Sequence, residues 1–144
     1  MGGFRRYAKK FAMSFPVAEK FIEKAEADLG VRFPASFRTK MMAMNGGEVG
    51  VGSDSFHLHP FFDTSDKKRL KRTCNSIVHE TKYARQHYRL PENIILIGNN
   101  GGGDTLVYRI GDDGTLDTIV YWLDHETDEL NHAADDFSKL ELID

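Results

Sequence analysis

The most hydrophobic uninterrupted stretch of this sequence is only four residues long, at positions 94–97, Ile-Ile-Leu-Ile. A helix that crosses a membrane needs about 20 apolar residues, so we expect no segment of the chain to span a bilayer. The stretch is rich in β-branched residues, which favours a buried strand over a helix. It is followed at once by the glycine-rich sequence at positions 98–104. The sequence therefore predicts a central buried strand that ends in a tight turn.

The surrounding pattern predicts both helices and further strands. Val17, Ile22 and Ala25 recur at helical spacing, as do Phe37 and Met41, whereas Asp113 and Gly114 form a typical hairpin turn. The predicted helices cover residues 17–30, 34–45 and 66–88, the last either continuous or broken, with a short helix at 137–142. The predicted strands cover residues 48–51, 56–59, 94–97, 106–110 and 118–123. Helices followed by strands, without regular alternation, indicate an α+β fold.

A chain of 144 residues has the size of one domain, and its 40% of hydrophobic residues can form a single core. We therefore expect helices packed on a mixed or mainly antiparallel β-sheet. Residues 1–15 are interpreted as a basic N-terminal extension and residues 16–144 as the domain. Cys74 is the sole cysteine and the basic start lacks the apolar stretch of a secretory signal, so a cytoplasmic location is expected.

The charges are divided unequally along the chain. Residues 1–110 contain 18 Lys or Arg and 11 acids, whereas residues 111–144 contain one base and 11 acids. The acidic C-terminal quarter is either a solvated face or a docking surface for a basic partner. Because phosphates would be repelled, direct binding of nucleic acid is not expected there. The basic run at 67–72 has cations on all sides and no interleaved aromatic residues, so it does not indicate a nucleic-acid site either.

No motif of the sequence specifies an enzyme. The glycine-rich stretch lacks the Lys and Ser or Thr of a phosphate-binding loop and opens a strand, so its glycines are expected to shape a turn. Asp104 at its exit remains a candidate functional carboxylate. A metal site would have to combine His57 and His59 with Asp63, or use His125 and Glu126; no further ligand that would complete either set stands at a recognisable spacing. We expect no cofactor and no metal.

Three motifs, in order along the chain, carry a family resemblance. The first runs from Glu26 through Leu29, Gly30 and Pro34 to a helix that ends in Asn45, Gly46 and Gly47. The second joins Leu90 and Pro91 to the stretch from Gly98 to Gly103 and Asp104, and the third is the segment 120–126. Together they resemble the SUKH superfamily of Smi- and Knr-like immunity proteins over residues 17–142.

The resemblance implies a SUKH-like fold and a non-enzymatic bacterial protein that neutralises a toxin by protein–protein contact. The cognate toxin would be a polymorphic or contact-dependent one, with a basic nuclease domain as one candidate. The acidic quarter suits such a partner, and an exposed aromatic side chain could contribute contact area. The predicted partner-binding residues are Asp104, Tyr121, Trp122, Asp124, Glu126 and Asp128. Since Tyr121 and Trp122 alternate on a strand, one of them is expected in the core. A metal-dependent hydrolase and a regulatory scaffold protein are the alternatives.

Overall fold

The computed structural model describes residues 14–143, which form an antiparallel sheet with helices packed on it. The helices are α1 (Glu19–Leu29), α2 (Ala35–Ala43), α3 (Lys67–Arg72) and α4 (Ile77–His87). The strands are β1 (Glu48–Val51), β2 (Asp54–Leu58), β3 (Ile94–Asn99), β4 (Thr105–Arg109), β5 (Val120–Leu123), β6 (Leu130–Ala134) and β7 (Glu141–Ile143). The order in the sheet is β6-β5-β4-β3-β2-β1-β7, and each neighbouring pair is antiparallel. The expected α+β class is confirmed.

The central strand β3 is buried on both faces, which explains why its sequence is apolar without alternation. Ile95 and Ile97 pack in the main core, whereas Ile94 and Leu96 belong to a smaller cluster on the other face of the sheet. A β-bulge between Leu96 and Gly98 shifts the register with β4. The predicted strand at 94–97 is therefore confirmed, and it extends to Asn99.

The main core lies between one face of the sheet and helices α1 and α2. Phe33, Phe37, Phe61 and Tyr108 are fully or almost fully buried there, with ring centroids 5.3–6.1 Å apart in tilted or edge-on pairs. Such pairs add about 0.5–1.5 kcal/mol each beyond their area burial. The helical stripes read from the sequence thus face the sheet, as expected.

The other face of the sheet is covered in part by α4. The Thr81 hydroxyl accepts a hydrogen bond from the Leu96 backbone N–H at 3.0 Å, which joins the helix to β3. Ala84 packs with Ile94, Leu96, Val107 and Tyr121 in the smaller cluster. Strands β4, β5 and β6 also contribute to this face, and a groove remains beside α4.

The C-terminal part differs from the sequence-based prediction. The helix expected at 137–142 is a single 3₁₀ turn, Phe137–Lys139, and the chain then enters β7 as an edge strand beside β1. Strand β6 was not predicted, because it is a mainly exposed strand without clear alternation. Of the two alternatives for 66–88, a continuous or a broken helix, the structure has the broken one, and α4 begins where the Ser76 hydroxyl accepts a hydrogen bond from the His79 N–H.

The predicted extension at 1–15 lies mostly outside the described residues. Ser14 and Phe15 are described, and the Phe15 carbonyl accepts a hydrogen bond from the Asn45 N–H at 2.9 Å. The domain boundary remains a prediction.

Candidate docking site: the acidic loop and the groove beside it

The loop at residues 124–129, called the acidic loop below, connects β5 to β6 and carries Asp124, Glu126, Asp128 and Glu129. Its conformation is fixed by its own hydrogen bonds. The Asp124 carboxylate accepts from the backbone N–H groups of Glu126 at 2.8 Å and Thr127 at 3.2 Å. Asp128 has a left-handed backbone, with φ 61°, and its N–H donates to the Asp124 carbonyl. The exposed carboxylates of Glu126, Asp128 and Glu129 are therefore presented on an ordered turn.

Asp104 joins the acidic loop to the rest of the sheet. Its Oδ2 accepts a hydrogen bond from the Trp122 indole N–H at 2.8 Å. Its Oδ1 accepts from the His125 backbone N–H at 3.0 Å and lies 2.6 Å from the His125 Nδ1. These donors favour the ionised carboxylate and lower its pKa to about 2, with the His125 backbone N–H as the largest cause. Asp104 is thus an ionised group that positions the loop.

The contact with Asp104 also changes the pKa of His125. The hydrogen bond to the Asp104 carboxylate raises the pKa of the imidazole above its ordinary value, and nearby Asp124 and Glu126 act in the same direction. The ring also lies over Gly103, where an added Cβ would meet three ring carbons at 3.3 Å. Gly103 has φ +100°, a conformation that L side chains rarely adopt. The predicted use of a glycine for the turn is correct at this position.

The glycine-rich turn before Asp104 is held by the side chain of Asn100. Its Oδ1 accepts from the N–H groups of Gly102 at 2.9 Å and Asp104 at 3.0 Å, and its Nδ2 donates to Asp54 at 2.9 Å. Because these two amides are already bonded inside the protein, they do not point to a phosphate ligand. The turn connects β3 to β4 and places Asp104 next to β5.

The two aromatic residues of β5 lie on opposite faces of the sheet. Tyr121 is 9% exposed in the smaller cluster, and its hydroxyl donates to Asp117 at 3.1 Å. Trp122 is half-buried and packs edge-on against Phe56, with centroids 4.8 Å apart. Each side chain has structural contacts, and a partner-binding role for either remains a prediction.

A groove of about 920 Å³ lies between the acidic loop and the C-terminal end of α4. Its apolar lining includes Leu96 from β3, Leu123 from β5 and Leu130 from β6. Tyr83 and Tyr88 line the helix side, and both are well exposed. Such an apolar concavity beside a charged loop is a typical feature of a binding surface. No sequence pattern indicates this groove, because it is formed by strands that are distant in the sequence together with the end of α4.

The candidate metal ligands are arranged differently from the sequence-based sets. Within residues 14–143, the group whose ligand atoms come within 4.8 Å of one another is Asp104, Asp124 and His125. Both oxygens of Asp104 and one oxygen of Asp124 already accept N–H hydrogen bonds, as described above. This group therefore has a structural explanation in the protein itself.

The set His57, His59 and Asp63 is not brought together as a metal cluster in the described chain. His57 is exposed, whereas His59 is buried, and burial lowers its pKa to about 4. Asp63 is buried near Arg69 and accepts a hydrogen bond from the Ser65 N–H. The structure gives this set no common site.

The fold and these motifs can be compared with known proteins. The sequence profile of the SMI1 / KNR4 family (SUKH-1) matches residues 16–141. The chain belongs to this family. The SUKH resemblance read from the three motifs is thereby confirmed, and the family is associated with immunity proteins. A search among curated proteins gave no significant match. None of the helices within residues 14–143 is long and apolar enough to cross a membrane.

In the first SUKH-1 motif of this chain, Glu26 forms contacts that stabilise the fold. The carboxylate of Glu26, which is 7% exposed, accepts from the Phe33 N–H at 2.7 Å and from Arg38 Nε at 3.1 Å. Arg38 also pairs with Glu19 at 2.8 Å. Leu29 packs at the margin of the main core, and Gly30 follows α1. The ion pair thus ties α1 to α2, with Pro34 directly before the second helix.

The Asn-Gly-Gly segment of the same motif follows the C-terminal end of α2. Asn45 is buried, and its side chain donates to the Phe61 carbonyl at 2.9 Å and accepts from the Phe61 N–H at 2.8 Å. This pair satisfies both backbone groups of Phe61 much as a neighbouring strand would. Lys40 donates to the carbonyl of Gly46, and Gly47 packs near Met44.

Gly98, in the second motif, lies against β2, where an added Cβ would meet the His57 carbonyl oxygen at 2.7 Å.

The basic run at 67–72 forms the short helix α3. Asp66 caps the helix and pairs with Arg69 at 2.6 Å. Arg69 and Arg72 lie over the ring of Phe15, at 4.2 and 5.1 Å from its centroid. These cation–π contacts give the run a structural role beside the start of the described chain.

Proposed function

We propose that this SUKH-1 protein is a bacterial, cytoplasmic immunity-type protein that neutralises a cognate toxin by protein–protein contact. In this function the chain is not an enzyme. The acidic loop docks on a basic surface of the toxin, with a nuclease domain as the candidate partner. The family supports an immunity role, and the described residues present no group of side chains that requires catalysis as its explanation.

The observation that carries the proposal is the ordered presentation of the acidic loop. Asp104 binds both Trp122 and His125, and Asp124 binds two loop amides, so the loop is fixed before any partner arrives. A surface that is already ordered loses little conformational entropy on binding. Its negative charge speeds encounter with a basic groove and repels free nucleic acid. These properties match those required of an inhibitor that covers a nucleic-acid-binding surface.

The test uses the protein encoded by the reading frame adjacent to this one, purified as its C-terminal toxin domain. Binding is measured by surface plasmon resonance at low and high salt, and protection is measured as growth of cells that express the toxin. We expect a complex whose association rate falls as salt rises, because long-range attraction is screened.

The matched variants change charge without changing buried contacts. Glu126→Gln with Asp128→Asn removes two exposed charges from the acidic loop, and Asn tolerates the left-handed backbone of Asp128. Asp112→Asn with Glu141→Gln removes two exposed charges elsewhere. We expect the loop pair to lower the association rate about 3- to 10-fold and the control pair to leave it nearly unchanged. Absence of a complex at low salt, or equal effects of the two pairs, would contradict the proposal.

A further inference from the structure

The groove beside the acidic loop contains a buried histidine. His59 is 6% exposed and lines the groove. Its backbone N–H donates to the Ile97 carbonyl at 2.9 Å. Burial lowers its pKa to about 4, so the ring is neutral near pH 7 and offers one donor and one acceptor.

One polar group in the same groove lacks a hydrogen-bond partner among residues 14–143. The hydroxyl oxygen of Thr105 is buried and makes no hydrogen bond. Thr105 lines the groove, and it precedes Leu106, which faces the main core, so the alternation of β4 places Thr105 on the groove face. Burying a polar group without a hydrogen bond costs about 1–3 kcal/mol. An unpaired hydroxyl and a buried imidazole that line one cavity favour a ligand with hydrogen-bonding groups.

The chemistry of the walls limits the class of ligand. Leu96, Leu123 and Leu130 offer apolar surface to an aliphatic or aromatic side chain. Asp128 lines the groove on the side of the acidic loop, and Glu80 lines it on the side of α4. Arg89 also lines it, but the adjoining acids of the loop leave the rim negative overall. A cationic side chain close to an apolar one would fit this arrangement.

We propose that this groove binds an extended segment of the partner polypeptide. An apolar side chain of the segment packs on Leu96, Leu123 and Leu130, and backbone amide groups pair with His59 and Thr105. A Lys or Arg on the segment lies against the acidic loop. A peptide backbone is suitable because each amide unit carries one donor and one acceptor. The inference rests on the proposed function, since the segment belongs to the partner that the acidic loop attracts.

The test uses three synthetic nonapeptides and the full chain labelled with ¹⁵N. The first peptide alternates Leu and Lys, the second alternates Leu and Glu, and the third alternates Ser and Lys. We expect the Leu/Lys peptide to shift the amide resonances of Leu96, Thr105, Leu123 and Leu130 in a saturable way. The Leu/Glu peptide lacks the attraction to the loop, and the Ser/Lys peptide lacks the apolar contact, so both should bind at least about tenfold more weakly.

Two near-isosteric variants separate binding from stability. Thr105→Val removes a buried hydroxyl that lacks a partner, and His59→Leu replaces a buried polar ring by an apolar side chain, so we expect an unchanged or higher melting temperature for each variant. The same variants should weaken the Leu/Lys peptide about fivefold, the equivalent of one lost hydrogen bond. Leu142→Ser, at an exposed apolar residue of β7 on the opposite edge of the sheet, is the control and should not change the affinity.

The outcomes distinguish this proposal from the proposed function. If the Leu/Lys and Ser/Lys peptides bind equally and shift only residues 124–129, the groove proposal is overturned while an electrostatic docking loop remains. If His59→Leu and Thr105→Val bind the peptide as the wild type does, it is likewise overturned. If the free protein sediments as a dimer that Leu130→Asp dissociates, the occupant is a second copy and not a partner segment. Failure of the adjacent toxin to bind at all contradicts the proposed function instead.

Discussion

Asp104 and Trp122 are joined by a hydrogen bond of 2.8 Å from the indole nitrogen to the carboxylate, although they lie 18 positions apart in the sequence. The opposite oxygen of the same carboxylate binds His125. One side chain at the end of the glycine-rich turn therefore contacts both β5 and the acidic loop.

Replacement of Trp122 by Phe should destabilise the protein moderately. The variant keeps a ring against Phe56 but removes the donor to an ionised carboxylate, a bond that contributes about 1.5–3 kcal/mol. We expect a loss of about 2 kcal/mol in the free energy of unfolding, measured by urea denaturation. Trp122→Ala also removes the ring packing and should cost more. A Trp122→Phe protein as stable as the wild type would show that the hydrogen bond contributes nothing.

Titration of His125 should reveal its contact with Asp104. We expect an NMR-measured pKa above the ordinary 6.5 in the wild type, because the Asp104 carboxylate stabilises the imidazolium. In Asp104→Asn, which keeps a similar shape without the charge, the pKa should fall toward 6.5. An unchanged His125 pKa in Asp104→Asn would contradict this explanation.

The same pair sets a pH dependence of stability. The raised folded-state pKa of His125 means that its contribution is complete below the unfolded pKa of about 6.5 and is lost as pH rises through the folded pKa. The folded-state pKa of Asp104 is about 2, so its contribution is present above about 3.9 and is lost as pH falls toward 2. The stability difference between wild type and Asp104→Asn should therefore be greatest between about pH 4 and 6.5. A difference that is flat from pH 2 to 9 would contradict this assignment.

Replacement of Gly98 by Ala should separate β2 from β3. The added Cβ would lie 2.7 Å from the His57 carbonyl oxygen and 3.4 Å from the Leu58 Cα, and both are backbone atoms that cannot move aside cheaply. We expect a loss of about 1–3 kcal/mol, measured by thermal or chemical unfolding. Gly101→Ala is the matched control, because no atom lies within 4 Å of its added Cβ, and it should change stability by less than about 0.5 kcal/mol. Equal losses for the two variants would disprove the close-approach explanation.

Removal of Glu26 should be among the costlier single changes in α1. Glu26→Ala leaves the buried Arg38 without its nearest buried partner and the Phe33 N–H without an acceptor. We expect a loss of about 3–5 kcal/mol in the free energy of unfolding. Glu23→Ala, at an exposed position of the same helix, should cost at most about 0.5 kcal/mol. The prediction fails if denaturant midpoints of the two variants coincide.

The parts of the fold that the sequence predicted best are those where local pattern and burial agree. The stripes of α1 and α2, the apolar β3 and the Asn-Gly-Gly end of α2 follow from side chains within one or two turns of each other. Strand β6 was not predicted because Asn131 and His132 are exposed at the edge of the sheet. Its sequence therefore lacks the alternation of apolar and polar residues that would indicate a strand. The short helix expected at 137–142 is wrong, because the chain makes only one 3₁₀ turn there and pairing with β1 places Glu141–Ile143 in β7.

The sequence by itself determined the α+β class, the family and the acidic character of the C-terminal quarter, because composition, hydrophobic period and short motifs are properties of neighbouring residues. It also indicated Asp104 as a candidate functional residue, since this carboxylate directly follows the glycine-rich stretch in the sequence. Only the tertiary structure decided that Asp104 holds Trp122 and His125, that Tyr121 and Trp122 face opposite ways, and that His59 and Thr105 line one groove. These relationships depend on sheet pairing between segments up to tens of residues apart, and a hydrogen bond or a missing partner exists only once those segments are packed together.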